Sequence, residues 1–250
     1  MNHSRRQFAA AIAAGLTGSA LAQDAPRTPV LVELFTSEGC SSCPPADLLL
    51  EKLDRLQPVP GAAIIVLSEH VDYWDSAAWK DPYSSPVFSQ RQQTYARRSI
   101  LESVYTPHMI VDGSTEFVGN NGRRAQSAIA AASKQEKVGV RISPVAAGLR
   151  IEVDVLPTSA GRREADVYLV QAEESATHEV AGGENKGRRL HHIAIARRLE
   201  KLGTVNARAA FSKDAPADPS PAAVRWIAFA QEPGSGKVWG AAVAAVAGSR

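Results

Sequence analysis

The chain of 250 residues carries 28 Lys and Arg against 26 Asp and Glu, a formal net charge of +2. A balanced chain without a basic stripe gives no electrostatic basis for binding nucleic acid or an anionic membrane surface. Beyond the N-terminus its apolar runs are too short to cross a bilayer, so we expect no stable membrane insertion. The length suits two domains.

Residues 1–22 have the pattern of an export signal. Arg5 and Arg6 precede an apolar run of small residues over 9–20, and an Ala-Leu-Ala cleavage site ends at Ala22. The paired arginines indicate the twin-arginine route, with an ordinary secretory signal as the alternative. Both routes lead out of the cytoplasm, so we expect a soluble periplasmic or secreted protein. Its mature chain holds 26 basic and 26 acidic residues, because the signal contains two arginines and no acidic residue.

The mature chain begins with a predicted strand-helix-strand unit. Residues 30–35 and 63–67 are apolar, β-branched runs of strand length, and a segment opened by two prolines has leucines at helical spacing between them. This order implies a parallel pair of strands with a right-handed crossover. Cys40 and Cys43 therefore fall between the carboxyl end of the first strand and the start of the helix.

An aromatic-rich insert over 70–101 follows, and its later part, 88–98, is predicted to be helical. A turn at Asp112-Gly113 then predicts a hairpin, and a helix is expected over 122–134. These elements predict a three-layer α/β domain over 23–137.

From residue 138 onward the pattern changes to short alternating runs, which predict strands. The predicted strands are 140–142, 149–155, 165–171, 190–196, 224–230 and 237–246. Gly and Pro residues separate these runs, including a Pro-rich loop at 214–221. This spacing predicts an antiparallel sheet or small sandwich over 138–250.

The Cys40-Ser41-Ser42-Cys43 motif has two main interpretations. A zinc site needs further ligands in a second closely spaced pair, and this chain has no other cysteines. A redox disulfide needs both thiols at a helix start, where unpaired N–H groups and the helix dipole stabilise a thiolate. Cys40 is then the attacking thiol and Cys43 the resolving thiol. A permanent structural disulfide is the alternative, although a bridge across two residues constrains little chain entropy.

Several strings of this sequence resemble a family of exported bacterial proteins known as domain-of-unknown-function family 1223. They are VELFTSEGCSSCPPAD, HVDYWDSAAWKDP, YTPHMIVDG, Gly183-Glu184-Asn185 and the terminal WGAAV. Residues 30–118 also resemble a thioredoxin-like domain. The resemblance implies a thioredoxin-like fold. Together with the strand pattern after residue 138, it leads us to expect an α/β fold in which a thioredoxin-like domain is followed by a smaller antiparallel β-rich, sandwich-like domain. It assigns Thr106-Pro107 to the cis-proline position that faces the disulfide and binds extended partner chains. This sequence differs from thioredoxins in the Ser-Ser dipeptide of its CSSC motif and in the insert at 70–101.

We therefore expect an exported thiol-disulfide oxidoreductase that exchanges its disulfide with protein or small-molecule thiols and disulfides, without a cofactor. The expected catalytic residues are Cys40, Cys43 and Pro107. The aromatic and acidic cluster at 72–81 follows a strand's carboxyl end, where α/β sheets form binding crevices, although it also suits a loop anchored by buried tryptophans. The expected substrate-binding residues are Thr106, Tyr73, Trp74 and Trp79.

Two other functions fit the same cysteines. With His70 and His108, Cys40 and Cys43 would make a soft site suited to Cu(I) in a periplasmic metallochaperone. Isolated histidines are more often hydrogen-bonded structural groups. The second alternative is a non-catalytic interaction protein with a structural disulfide.

Two further segments are expected to have structural roles. His191 and His192 alternate with isoleucines, so one is expected to face solvent and the other the sheet. The glycine-rich segment 182–187 lacks the Gly-Lys-Ser/Thr of a phosphate loop and is expected only to connect strands.

Overall fold

The computed structural model describes residues 26–161, 163–217 and 223–246. The predicted export signal lies outside these ranges. Within them the chain forms three α-helices and eleven strands. The helices are α1 (Pro44–Leu56), α2 (Pro86–Arg98) and α3 (Gly122–Ala132). The strands are β1 (Thr28–Thr36), β2 (Ala62–His70), β3 (His108–Val111), β4 (Thr115–Val118), β5 (Val140–Val145), β6 (Gly148–Val153), β7 (Glu164–Glu179), β8 (Arg189–Asn206), β9 (Phe211–Ala215), β10 (Val224–Gln231) and β11 (Val238–Val246).

The predicted strand-helix-strand unit is confirmed. β1 and β2 are parallel, with Thr36 opposite His70, and α1 connects them. β3 runs antiparallel to β1 and forms the predicted hairpin with β4. The predicted helices at 88–98 and 122–134 are α2 and α3, with slightly different ends. This part of the chain therefore has the α/β order that its hydrophobic pattern predicts.

β1 is buried on both faces, which explains its nearly continuous apolar sequence. Val30, Val32 and Leu34 point into one hydrophobic cluster with α1 and α3. Leu31 points to the opposite face, into a cluster that includes Phe88 of α2. Because side chains alternate along a strand, one strand supplies both cores.

The expectation of a separate sandwich after residue 137 needs correction. The large sheet has eight strands in the order β11-β10-β7-β8-β2-β1-β3-β4, so it continues across the predicted boundary. β8 lies parallel to β2, with Ser68 opposite Ile195. The physical reason is that the edge of β2 would be exposed without β8. The buried residues 194–196 of β8 cover this edge.

A smaller antiparallel sheet in the order β5-β6-β9 packs near β7 and β10. β9 was not among the predicted strands, and part of the predicted loop at 214–221 lies outside the described residues. β7 and β8 form a long hairpin whose pairing ends at Glu179 and Arg189. The tip of this hairpin, residues 180–188, lies against the segment that carries the cysteines.

One buried ionic group ties α2 to the sheet. Arg91 lies 2.6 Å from the Glu33 carboxylate of β1 and 3.4 Å from that of Glu69 of β2. The Tyr95 hydroxyl donates to Glu33 at 2.6 Å. Burial, and then the nearby charge of Glu33, raise the pKa of Glu69 well above its usual range.

Across the described ranges, no helix combines the length and apolar character needed to span a bilayer.

Candidate functional site

The two predicted cysteines form a disulfide at the carboxyl end of β1. Their Cα atoms are 5.5 Å apart, and both residues are fully buried. Cys43 is the N-cap of α1, and its carbonyl accepts the amides of Ala46 at 2.8 Å and Asp47 at 3.1 Å. The local sequence explains this turn, because Pro44 opens the helix at a position where an amide proton is not needed.

Part of the predicted substrate-binding set lies beside the disulfide. The Ser42 hydroxyl is 3.4 Å from the Cys40 sulfur and 3.5 Å from the Thr106 carbonyl oxygen. The Thr106–Pro107 peptide bond is cis, as predicted. Trp74 donates its indole N–H to the Thr106 hydroxyl at 2.8 Å. Residues from three separate segments therefore meet at the cysteine turn.

Tyr73 and Trp79 belong to the same insert but face other elements. The Tyr73 hydroxyl donates to Gln92 of α2 at 3.1 Å, and burial raises the pKa of Tyr73 to about 12. Trp79 lies against His178, with ring centroids 5.5 Å apart, and against Gly182 in the hairpin tip. Of the four predicted substrate-binding residues, Trp74 and Thr106 contact the residues next to the cysteines, whereas Trp79 supports the hairpin tip.

The hairpin tip, residues 180–188, bonds directly to the backbone of the cysteine turn. The Asn185 side chain is fully buried and donates to the carbonyl oxygens of Glu38 at 2.9 Å and Cys40 at 2.8 Å. Glu184 accepts the amide of Ser41 at 2.9 Å. The expectation that 182–187 only connects strands was therefore wrong, since this segment also holds the cysteine turn.

A buried ionic cluster lies next to the same turn and is centred on Glu38. The Glu38 carboxylate is 3.1 Å from His178 and 3.5 Å from His192. The Glu38 amide donates to Asp81 at 2.8 Å, and Asp81 is 2.8 Å from His70. Glu38, His70, Asp81 and His192 are each at most 2% exposed. The cluster brings together β2, β7, β8 and the insert.

His192 lies between the carboxylates of Glu38 and Asp47. Its ring is 3.8 Å from Asp47 of α1 and 4.7 Å, centroid to centroid, from the ring of His70. Burial lowers the pKa of His192, but its pairing with Asp47 and Glu38 outweighs burial and raises the pKa to about 10. His191 faces solvent and bonds to Thr177. The predicted alternation of the two histidines is confirmed.

The pKa of Asp81 is shifted in the opposite direction to that of His192. Burial raises the pKa of Asp81, but the neighbouring His70 and two backbone amides outweigh burial and lower the pKa to about 2. Asp81 therefore carries its charge at all physiological pH values.

The histidines of the copper alternative are engaged by other side chains. His70 pairs with Asp81, and His108 lies 3.3 Å from Gln92 and 3.2 Å from Glu116. Burial lowers the pKa of His108 despite the nearby Glu116. Within the described ranges, no group of three or more His, Cys, Asp or Glu side chains is arranged to hold a metal ion.

Several residues at this site were not predicted from the sequence. They are Glu38, Asp47, His178, Glu184, Asn185 and His192. One signal was available for His192, a titratable residue in an apolar run, and another for Glu38, two positions before Cys40. Neither signal indicates that the two residues meet, because they lie on elements far apart in the chain.

Comparisons with known proteins agree with this fold. A crystal structure of a protein from Agrobacterium tumefaciens has a TM-score of 0.71 and 24% identity, covering 88% of this chain and 95% of that one. A structure of HBP35 of Porphyromonas gingivalis has a TM-score of 0.59 and 14% identity, covering 90% of this chain and 77% of that one. No curated protein matches the sequence. The model of the family described as protein of unknown function (DUF1223) matches residues 31–231. The chain therefore belongs to the DUF1223 family.

Proposed function

We propose that this protein is a thiol-disulfide oxidoreductase that acts through Cys40 and Cys43, within a thioredoxin-like unit over residues 30–118. The observation that carries the proposal is the disulfide between a buried strand and the first turn of α1. At such a helix start the dipole favours a thiolate. The Thr106 carbonyl near Ser42 supplies a neighbouring segment suited to contact a partner chain.

The reaction transfers two electrons from a dithiol to a disulfide. In the reduced protein the Cys40 thiolate attacks one sulfur of a substrate disulfide, forming a mixed disulfide and releasing one substrate thiolate, which takes up a proton. The Cys43 thiolate then attacks the Cys40 sulfur and releases the second substrate thiolate. The substrate gains two electrons and two protons, and the Cys40–Cys43 bond is formed. The reverse sequence oxidises a substrate dithiol.

Access to the sulfur is part of this mechanism. Both cysteines are fully buried, so a partner reaches Cys40 only after neighbouring segments separate. Trp74 lies against Gly39 on one side, and Asn185 holds the Cys40 carbonyl on another. A local opening of these contacts is therefore the first step of exchange.

We also propose that the protein acts outside the cytoplasm, in the periplasm or secreted. A disulfide persists in an oxidising compartment, whereas cytosolic thiols are kept reduced. The signal pattern of residues 1–22 supports the same location.

The test is a titration of the purified protein in glutathione redox buffers, with the Cys40–Cys43 bond followed by thiol trapping. A reversible transition near or above about −230 mV supports exchange. A bond that stays closed below about −300 mV identifies a structural disulfide and overturns the proposal. Cys43→Ser is the matched variant, because it lacks the resolving thiol and should accumulate a mixed disulfide with glutathione on Cys40.

A further inference from the structure

The hairpin tip and the cysteine turn are joined by side chain to backbone bonds across more than 140 residues of sequence. Asn185 donates to two carbonyls of the turn, and its own side-chain oxygen accepts from Arg188 at 2.7 Å. These three bonds fix the orientation of the amide, because the carbonyls need its NH₂ group and the guanidinium needs its oxygen. Asn185 is therefore a rigid anchor for the tip.

The anchored tip places a carboxylate at the cysteine turn. Glu184 precedes Asn185, is exposed, and accepts the Ser41 amide at 2.9 Å. This amide belongs to the residue directly after Cys40. Hydrogen bonds from Ser41 lower the pKa of Glu184, so the carboxylate is ionised at neutral pH.

Four backbone positions at this helix start are either without an amide proton or have their amide bonded to another acceptor. Pro44 and Pro45 have no amide proton. The Cys43 amide donates to the Cys40 carbonyl at 3.2 Å, and the Ser41 amide donates to Glu184. The Ser42 hydroxyl lies 3.4 Å from the Cys40 sulfur, and it donates to the Thr106 carbonyl oxygen at 3.5 Å. A thiolate depends on such donors, so their engagement elsewhere weakens its stabilisation.

We propose that Glu184 is a positioning residue that sets the acidity of Cys40, and that Asn185 acts through it. Glu184 holds the Ser41 amide and places a negative charge beside the turn, and both effects oppose thiolate formation on Cys40. Asn185 anchors the tip so that Glu184 reaches Ser41. This inference rests on the proposed exchange function, in which the acidity of Cys40 influences the rate and direction of exchange.

The test uses Glu184→Gln, which keeps the size and an acceptor oxygen but removes the charge. In a Cys43→Ser background, the pKa of Cys40 is read from the ultraviolet absorbance of the thiolate. No thiol reagent has to reach the buried sulfur in this measurement. We expect the pKa of Cys40 to fall by about half a unit to one unit. The difference should shrink in about 1 M salt, where the screening length is only about 3 Å.

Matched variants separate charge from structure. Glu184→Asp keeps the charge and should stay closer to the native pKa of Cys40 than Glu184→Gln does. Glu179→Gln removes an exposed charge of the same hairpin and should leave this pKa unchanged. Asn185→Ala should lower the pKa of Cys40. The double variant with Asn185→Ala and Glu184→Gln should lower this pKa by less than the sum of the two single shifts.

An unchanged or raised pKa of Cys40 in Glu184→Gln overturns the inference, as does an equal fall in Glu179→Gln. Because Glu184 is exposed, this variant decides the question even if Asn185→Ala fails to fold. With both cysteines present, Glu184→Gln should shift the glutathione equilibrium about threefold towards the reduced protein, since half a pKa unit corresponds to that factor. A native protein that does not exchange with glutathione overturns the proposed function, while the thiolate measurement still decides the role of Glu184.

Discussion

The His192 imidazole on β8 lies 3.5 Å from the carboxylate of Glu38, two residues before Cys40. Both side chains are buried, and Asp47 of α1 lies on the other side of the ring at 3.8 Å. A protonated His192 therefore joins the cysteine turn, α1 and β8 through charge. Tyr83 and His70 also face the ring, with centroids 5.9 Å and 4.7 Å from it. Breaking such a buried ionic group by removing one member is strongly destabilising.

The charge of His192 makes the stability of the oxidised protein depend on pH. Its pKa is raised from 6.5 to about 10 in the folded chain. A raised pKa contributes stability that is fully present below the unfolded value and is lost as pH rises through the folded value. We expect this contribution, roughly 3 to 5 kcal/mol from the size of the shift, to disappear between pH 6.5 and about 10.

Urea unfolding of the native protein and His192→Gln across this range tests the prediction. The native protein should be more stable at low pH, and the gap between the two proteins should close as pH rises. A gap that stays constant over the whole range would contradict it. Because both cysteines are disulfide-bonded, their titration does not contribute in the oxidised protein.

The buried ionic group under α2 predicts a large loss of stability in Arg91→Met. This change leaves Glu33 buried without its cation, which costs about 3 to 5 kcal/mol. Chemical denaturation gives the free energy of unfolding. Arg97→Met, an exposed change on the same helix, should alter it by less than about 0.5 kcal/mol.

A second variant checks the origin of that loss. If an uncompensated charge on Glu33 is the cause, adding Glu33→Gln to Arg91→Met should restore part of the stability. A loss below about 1 kcal/mol in Arg91→Met would show that the pairing with Glu33 contributes little.

The turn between β3 and β4 is expected not to tolerate a side chain at Gly113. Its φ is +68°, and a Cβ there would overlap the carbonyl oxygen of Gly236 in the turn between β10 and β11. Gly113→Ala should therefore destabilise the fold by about 1 to 3 kcal/mol, because backbone atoms of two turns must move. Thermal unfolding of this variant is compared with Gly234→Ala, whose Cβ would meet open space. Equal melting temperatures for the two variants would refute the argument.

The elements nearest the cysteines could be predicted from the residue pattern alone. Apolar runs predicted β1 and β2, helical spacing predicted α1, and a turn pair predicted the hairpin of β3 and β4. These features are local, because periodicity and turn chemistry depend on residues that are neighbours in the chain. The same local reasoning placed Cys40 and Cys43 at the helix start, where the structure has them.

The surroundings of the disulfide depend on contacts between distant segments and could not be predicted from the residue pattern. The alternation of His191 and His192 showed that one of them faces the sheet, but not that β8 would lie beside β2. That pairing brings His192 to Glu38 and extends the hairpin of β7 and β8 far enough for Asn185 to reach the cysteine turn. The physical reason is that strand pairing between distant segments depends on which sheet edge is left uncovered, and hydrophobic periodicity does not encode this choice.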